Sequence, residues 1–319
     1  MQSQIGSVAD PAVRRSGGPA IRRPSGPGVR RFASTLCPYP YNRPSNSNQA
    51  QHYMTYKLDA SIALQQISEN LYRLPNDPAF WNFNSSFGGW LAAVALNAVC
   101  RHSDFRGDIL TQQMQFIAAP KAEQLYLRIH LHQQGRQIDF YQVTFLSAPT
   151  NGRTLAMAEI VAGVRGDSDL EFSTPMPSIK PIEHSVQLEA SEMTPRWFAH
   201  YEQYLAHGRP FSKNPTPMTL AYAREADLRP LDSLAIAALV DTPMPRTFFV
   251  SEQLRFGSTL SLSTHIYASA AEIAEVGSDF VVIATDSATI RHSLLNQEVR
   301  LFRRDGLLLA SSYQTAVFA

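Results

Sequence analysis

Cysteine is nearly absent from this sequence, with only Cys37 and Cys100 in 319 residues. That argues against a disulfide framework and fits a reducing compartment. Charge is sparse as well, at 17% of residues against 44% hydrophobic, the balance of a globular protein with chain enough for a sizeable core. The longest apolar run, Phe87 to Cys100, is interrupted by Asn97 and too short to cross a bilayer, so no membrane span is expected. Motifs are missing too. There is no Gly-x-Ser-x-Gly elbow, no Gly-x-Gly-x-x-Gly, no Walker loop, no Cys-x-x-Cys and no His-Glu-x-x-His, which leaves serine-hydrolase, dinucleotide, triphosphate and zinc chemistry unsupported. His130 and His132 share one strand face at metal-pair spacing, but no third ligand is indicated, so neither a metal nor a cofactor is expected.

Net charge is only +1, and it hides a division. Residues 1–53 hold seven Arg, seven Pro and one acid, Asp10, a balance of +6; the other 21 basic and 26 acidic residues leave −5 in the body. Nucleic-acid binding would rest wholly on that tail, whose Arg pairs lack interleaved aromatics before Phe32, so no nucleic-acid partner is expected. The tail's low-acid, Arg- and Ser-bearing composition and its Arg31-Phe32-Ala33-Ser34 resemble a mitochondrial presequence, yet Pro11, Pro19, Pro24 and Pro27 forbid a long amphipathic helix. A disordered extension, or translated sequence ahead of a start at Met54, is the reading favoured over targeting for the same residues. Residues 1–53 are expected not to pack. The expected location is cytoplasmic, with mitochondria the alternative if the tail is a presequence.

From Met54 the pattern becomes structural. Tyr56 to Leu58 and Leu71 to Leu74 read as short strands separated by a polar helical turn, and Trp81 to Ser86 as an aromatic, polar loop running into Gly88-Gly89. Phe87 to Val99 reads as an apolar, small-residue helix. Met114 to Ala118 follows as a strand, and Leu125, Leu127, Ile129 and Leu131 alternate with polar residues as a half-buried strand should. Phe140 to Leu146 and Leu155 to Val164 complete an antiparallel meander, since the connections are too short for parallel crossovers. Residues 166–195, with four Pro, six acids and one Lys, read as a linker between units spanning 54–165 and 196–319.

The second unit repeats the order. Trp197 to Leu205 and Thr219 to Ala226 stand for the first two strands. Leu231 to Asp241 is a short helix, apolar nearly all round, bounded by Pro230 and Pro243. Leu260, Leu262, Thr264 and Ile266 alternate with Ser261, Ser263, His265 and Tyr267, opening four strands that run to the C-terminus. Gly152 to Val164 aligns without gaps on Gly306 to Phe318, so the chain reads as a duplicated unit. The fold class expected is α+β: two copies of an antiparallel sheet wrapped around a central helix, paired edge to edge as a pseudo-dimer.

These residues carry a family resemblance. The Phe87-Gly88-Gly89 helix start, Leu239-Val240-Asp241-Thr242-Pro243, Ser258-Thr259-Leu260-Ser261-Leu262 and Asp305 to Gln314, in that order, resemble the double-hotdog acyl-CoA thioesterases of the thioesterase II-like group. The likeness spans Met54 to Ala319. It implies two tandem hotdog units, an acyl-CoA substrate, and a water activated by Asp241, Thr259 and Gln314 of the second unit. Where the family often continues Gly-Gly with Gln, this chain has Trp90, so any polar role there is lost.

The chemistry can be set beside that resemblance. A thioester carbonyl is electrophilic enough to need only a positioned water, a base and donors for the developing oxyanion. Asp241 would be the base, its pKa raised by burial. Thr259 and Gln314 would fix the water. The backbone N–H groups of Gly88 and Gly89 at a helix start would hold the oxygen. Each residue also has a structural reading. Asp241 can close an Asx-type turn, Thr259 and Gln314 are ordinary strand residues, and Gly88-Gly89 can serve close packing. A non-catalytic acyl-CoA or acyl-carrier binder and a hotdog dehydratase remain the alternatives, since fold does not choose among them. Arg101, Arg255 and Arg291 are candidates for the CoA phosphates, and a homodimer of double hotdogs is expected from exposed sheet edges.

Overall fold

The structure, a computed structural model, describes residues 56–319; the N-terminal extension and Met54 lie outside the described residues. The first unit contributes α1 (Lys57–Ser61), β1 (Gln65–Ser68), β2 (Leu71–Pro75), α2 (Gly88–Cys100), β3 (Asp108–Phe116), β4 (Gln124–Gln134), β5 (Ile138–Leu146) and β6 (Thr154–Gly163). Its strands lie in the order β1-β2-β4-β5-β6-β3, each antiparallel to its neighbour.

The second unit contributes β7 (Val186–Leu188), β8 (Tyr201–His207), β9 (Thr219–Glu225), α3 (Ser233–Leu239), β10 (Gly257–Ile266), α4 (Ala270–Ala274), β11 (Val281–Asp286), β12 (Ile290–Arg291), β13 (Leu294–Phe302) and β14 (Leu308–Phe318). The sheet continues from β3 as β10-β14-β13-β11-β9-β8-β7, with β12 paired to β13 off that path. Ser261 stands opposite Gln115 and Thr264 opposite Gln112, so β3 and β10 form the seam. On either side of it the equivalent elements recur in mirrored order. This is the double hotdog, α+β.

Two helices sit inside this sheet. Gly89 through Val99 of α2 and all of α3 are buried, which is why neither helix has a polar face. Each Leu or Val so enclosed contributes roughly 1.5–3 kcal/mol. Helix α3 starts two residues later than its apolar pattern suggests, because Asp232 caps it, accepting from the Ala235 N–H at 2.8 Å. Arg229 ties the Asp232 cap (2.5 Å) to Asp59 of α1 (2.8 Å), joining the two units.

Three expectations need correction. Residues 57–61 are helical rather than extended, because Leu58 and Ser61 both turn into the core at helical spacing, and the polar stretch after them is β1. Residues 196–200 form a 3₁₀ turn before β8. The segment 166–195 is more than a connector, since its Val186–Leu188 adds the outermost strand to the second unit. Both outer edges are short strands, four residues for β1 and three for β7, which blunts the sheet edges. Among the described residues no helix is long and apolar enough to cross a membrane.

Candidate active site

The start of α2 and the end of α3 meet closely, and the glycines make the meeting feasible. A Cβ on Gly89 would lie 2.6 Å from the Ala238 carbonyl oxygen, and one on Gly88 would lie 2.6 Å from Asp241 Oδ2. Two residues past the end of α3, Asp241 would be unfavourable beside that helix's own negative terminus. Here it faces the positive N-terminus of α2 instead, and the Gly89 N–H donates to its carboxylate. Close packing and the approach of Asp241 to the start of α2 are therefore the same requirement at these glycines. The expectation that both N–H groups face a substrate oxygen is modified, since that of Gly89 is engaged by Asp241.

Thr259 arrives by a different device. In β10, Thr259 pairs with Ala316 and Ser261 with Thr315, leaving Leu260 as an extra residue in a bulge. The bulge moves Thr259 onto the face shared by Leu262 and Thr264 and turns Leu260 outward, 42% exposed. Plain alternation had placed Leu260 inside.

Gln314, on the same inner face of β14, joins the set. Its Nε2 donates to Asp241 Oδ1 at 2.6 Å and to Thr259 Oγ1 at 2.8 Å. Two side chains remote in the chain, Asp241 and Thr259, thus share one amide. Asp241 keeps some solvent exposure as a residue, but burial of its carboxyl group pushes the pKa up to about 7, against the lowering effect of the Gly89 and Gln314 hydrogen bonds. Tyr201, fully enclosed nearby, is itself pushed well up by burial and by neighbouring carboxylates.

The first unit carries the same scaffold without the polar set. β3 has a bulge at Leu110, and Ile109 and Gln112 pair with Ala162 and Ile160. By the alignment of Gly152 on Gly306, Ala162 and Ile160 correspond to Ala316 and Gln314. Buried isoleucines at 109 and 160 thus stand where the second unit has Thr259 and Gln314.

Other candidates lie elsewhere. Trp90 is fully buried and donates to Ser61 Oγ at 2.9 Å, fastening α1 to α2. His130 and His132 sit on the exposed face of β4 with ring centroids 4.5 Å apart. Beside the start of α2, Asn82, Phe83, Ser191, Thr194 and Arg196 line an open groove of about 350 Å³. Phe83 meets Phe256 edge-on at 6.2 Å, and both are exposed. The sequence did not single out this groove; the only signal for it was the aromatic loop ahead of Gly88.

Comparison with known proteins agrees with this architecture. The profile of the acyl-CoA thioesterase N-terminal domain matches residues 77–163, and that of the acyl-CoA thioesterase C-terminal domain matches residues 170–318. The chain belongs to the double-hotdog acyl-CoA thioesterase family. A protein of unknown function with a hot dog fold from Alicyclobacillus acidocaldarius superposes with a TM-score of 0.78 at 23% identity, covering 83% of this chain and 98% of the other. A TesB protein from Mycobacterium avium subspecies paratuberculosis gives 0.68 at 16%, covering 82% and 98%. An acyl-CoA thioesterase II, TesB2, from Mycobacterium marinum gives 0.65 at 14%, covering 82% and 98%. At these identities the structures speak for the fold alone. Comparison with curated proteins gives no match.

Proposed function

We propose that this protein hydrolyses acyl-CoA thioesters to a free carboxylic acid and CoA, with Asp241 as general base. One observation carries the reading: the Gln314 amide holds an acid and an alcohol from separate elements in a single hydrogen-bonded set. With its oxygen accepting from Gln314, the Thr259 hydroxyl has its proton free to orient a water. Asp241 accepts a proton from that water as its oxygen attacks the thioester carbon. The C–S bond then breaks, and the thiolate leaves as CoA and takes up the proton. A base with a pKa of about 7 is matched to proton transfer near neutrality.

The oxygen of the tetrahedral intermediate is assigned to the N-terminus of α2, at the Gly88 N–H, where the helix dipole favours negative charge. The groove at Asn82 and Phe83 adjoins this helix start and is the place for the CoA portion. Arg196 on its wall and Arg255, next to Phe256, supply cations for the phosphates. Arg101 caps the other end of α2, about 20 Å from Gly88 by helical rise, and is not assigned a role.

The test is release of free thiol from a panel of acyl-CoAs of increasing chain length, read with a thiol-reactive dye. Wild type should release thiol from at least one member, and Asp241→Asn should not do so above the uncatalysed rate. Equal rates for the two proteins across the panel would move the reading to a non-catalytic acyl-CoA binder.

A further inference from the structure

Arg246 is among the most enclosed side chains in the protein, 1% exposed, and every hydrogen-bond acceptor around it is a neutral oxygen. It donates to Gln297 Oε1 (3.0 Å), Pro217 O (2.9 Å), Thr219 Oγ1 (2.9 Å) and Met244 O (2.5 Å), and its guanidinium lies 4.5 Å from the centre of the Phe249 ring. Burying a cation without a paired carboxylate is costly, and packing alone could be served by an apolar side chain. Burial pulls the Arg246 pKa down to about 9, opposed by the field of Asp286.

What the cation holds lies next to the site on two sides. Gln297 stands directly opposite Gln314 in the β13–β14 ladder, so the two inward amides are adjacent cross-strand neighbours. The same Gln297 donates from Nε2 to Pro243 O at 3.4 Å, two residues past Asp241. Arg246 itself holds the next carbonyl, that of Met244. One buried pair therefore touches both the strand that carries Gln314 and the turn that carries Asp241.

We infer that Arg246 and Gln297 form a buried clamp that positions the Asp241 turn against the Gln314 amide. Both are positioning residues, since neither touches the reacting atoms. The inference rests on the thioesterase reading for its kinetic consequence but not for its geometric one. With the clamp intact, the Asp241 turn and the Gln314 amide keep the 2.6 Å contact. Without it the turn and the amide separate, and Asp241 loses a donor that holds its pKa down.

The experiment compares wild type with Gln297→Met, which keeps length and burial but removes the amide, and with Arg246→Lys, which keeps the charge but loses the fork. The field of Asp241 reaches Tyr201 and that of Asp286 reaches Arg246, and Tyr201 and Asp286 both stay unchanged. Gln297→Met should lower kcat about tenfold to a hundredfold with KM for acyl-CoA within about twofold of wild type. The Asp241 carboxyl titration, followed by ¹³C NMR, should move upward from about 7. Arg246→Lys should give a smaller upward shift, and it carries the test if Gln297→Met does not fold. If the wild-type protein turns over no acyl-CoA, the NMR titration still decides the clamp while the function fails separately. An Asp241 titration unmoved in a folded variant, or a kcat within twofold of wild type, overturns the proposal.

Discussion

Gln314 Nε2 lies 2.6 Å from Asp241 Oδ1, across a chain separation of 73 residues. The contact joins the last strand of the chain, β14, to the turn after α3, and it couples how strongly the carboxylate holds a proton to where the carboxylate points. Gln314→Leu should therefore lower kcat by about tenfold or more and raise the midpoint of the acid limb of the rate profile above its wild-type position. Steady-state kinetics across pH checks both effects.

The pH dependence of activity and of stability should run in opposite directions. Asp241 acts as a base only when ionised, so kcat/KM should climb through a midpoint near pH 7. Its folded pKa stands above the ordinary value of 3.8, so its favourable contribution to stability is complete below about pH 4 and is lost as pH rises toward 7. The loss is at most a few kcal/mol, from the 1.36 kcal/mol that accompanies each unit. Asp241→Asn should be inactive yet should gain in Tm relative to wild type between pH 5 and pH 8. Thermal melts at the two pH values check this.

The two glycines should separate chemistry from packing. In Gly88→Ala the new methyl meets Asp241 Oδ2, a side-chain atom that can shift. A fall in kcat of about tenfold to a hundredfold with little change in Tm is expected. In Gly89→Ala the methyl meets the Ala238 backbone oxygen, which cannot shift unless the helices part. A stability loss of about 1–3 kcal/mol is expected there, read from denaturant melts.

Leu260 should be dispensable for the facing of Thr259. Deleting it leaves Thr259 two residues before Leu262, so regular alternation keeps the hydroxyl on the inner face opposite Ala316. The deletion variant should keep kcat within about tenfold of wild type, whereas Thr259→Val, which removes the hydroxyl, should lose about tenfold or more. A deletion variant that folds but falls to the level of Thr259→Val would show that Thr259 needs the bulge itself.

Most of the layout was legible in the sequence because two enclosed helices and their following strands have distinct periods. Phe87 to Val99 could be located from its run of apolar residues and Leu231 to Asp241 from apolar spacing and bounding prolines, and the Gly152 to Gly306 correspondence revealed the duplication. The Asp241, Thr259 and Gln314 set was legible through family resemblance. Period alone put Thr259 on the wrong face, since a one-residue bulge leaves no local signature in Ser258-Thr259-Leu260-Ser261. The partner of Gly89 was hidden for a related reason. Which N–H a carboxylate meets depends on the approach of two helices from separate units, and that is settled by packing across the seam. Strand β7 was missed because three residues on an edge carry too short an alternation to read.

The most direct test of direct attack by a water held at Asp241 is a single turnover of acyl-CoA with excess enzyme in H₂¹⁸O. Every molecule of acid released in that first turnover should carry one ¹⁸O, and the peptide containing Asp241 should carry none. Unlabelled acid together with ¹⁸O in the Asp241 peptide would mean a covalent acyl-aspartate, and no released acid at all would mean that the site binds thioesters without hydrolysing them.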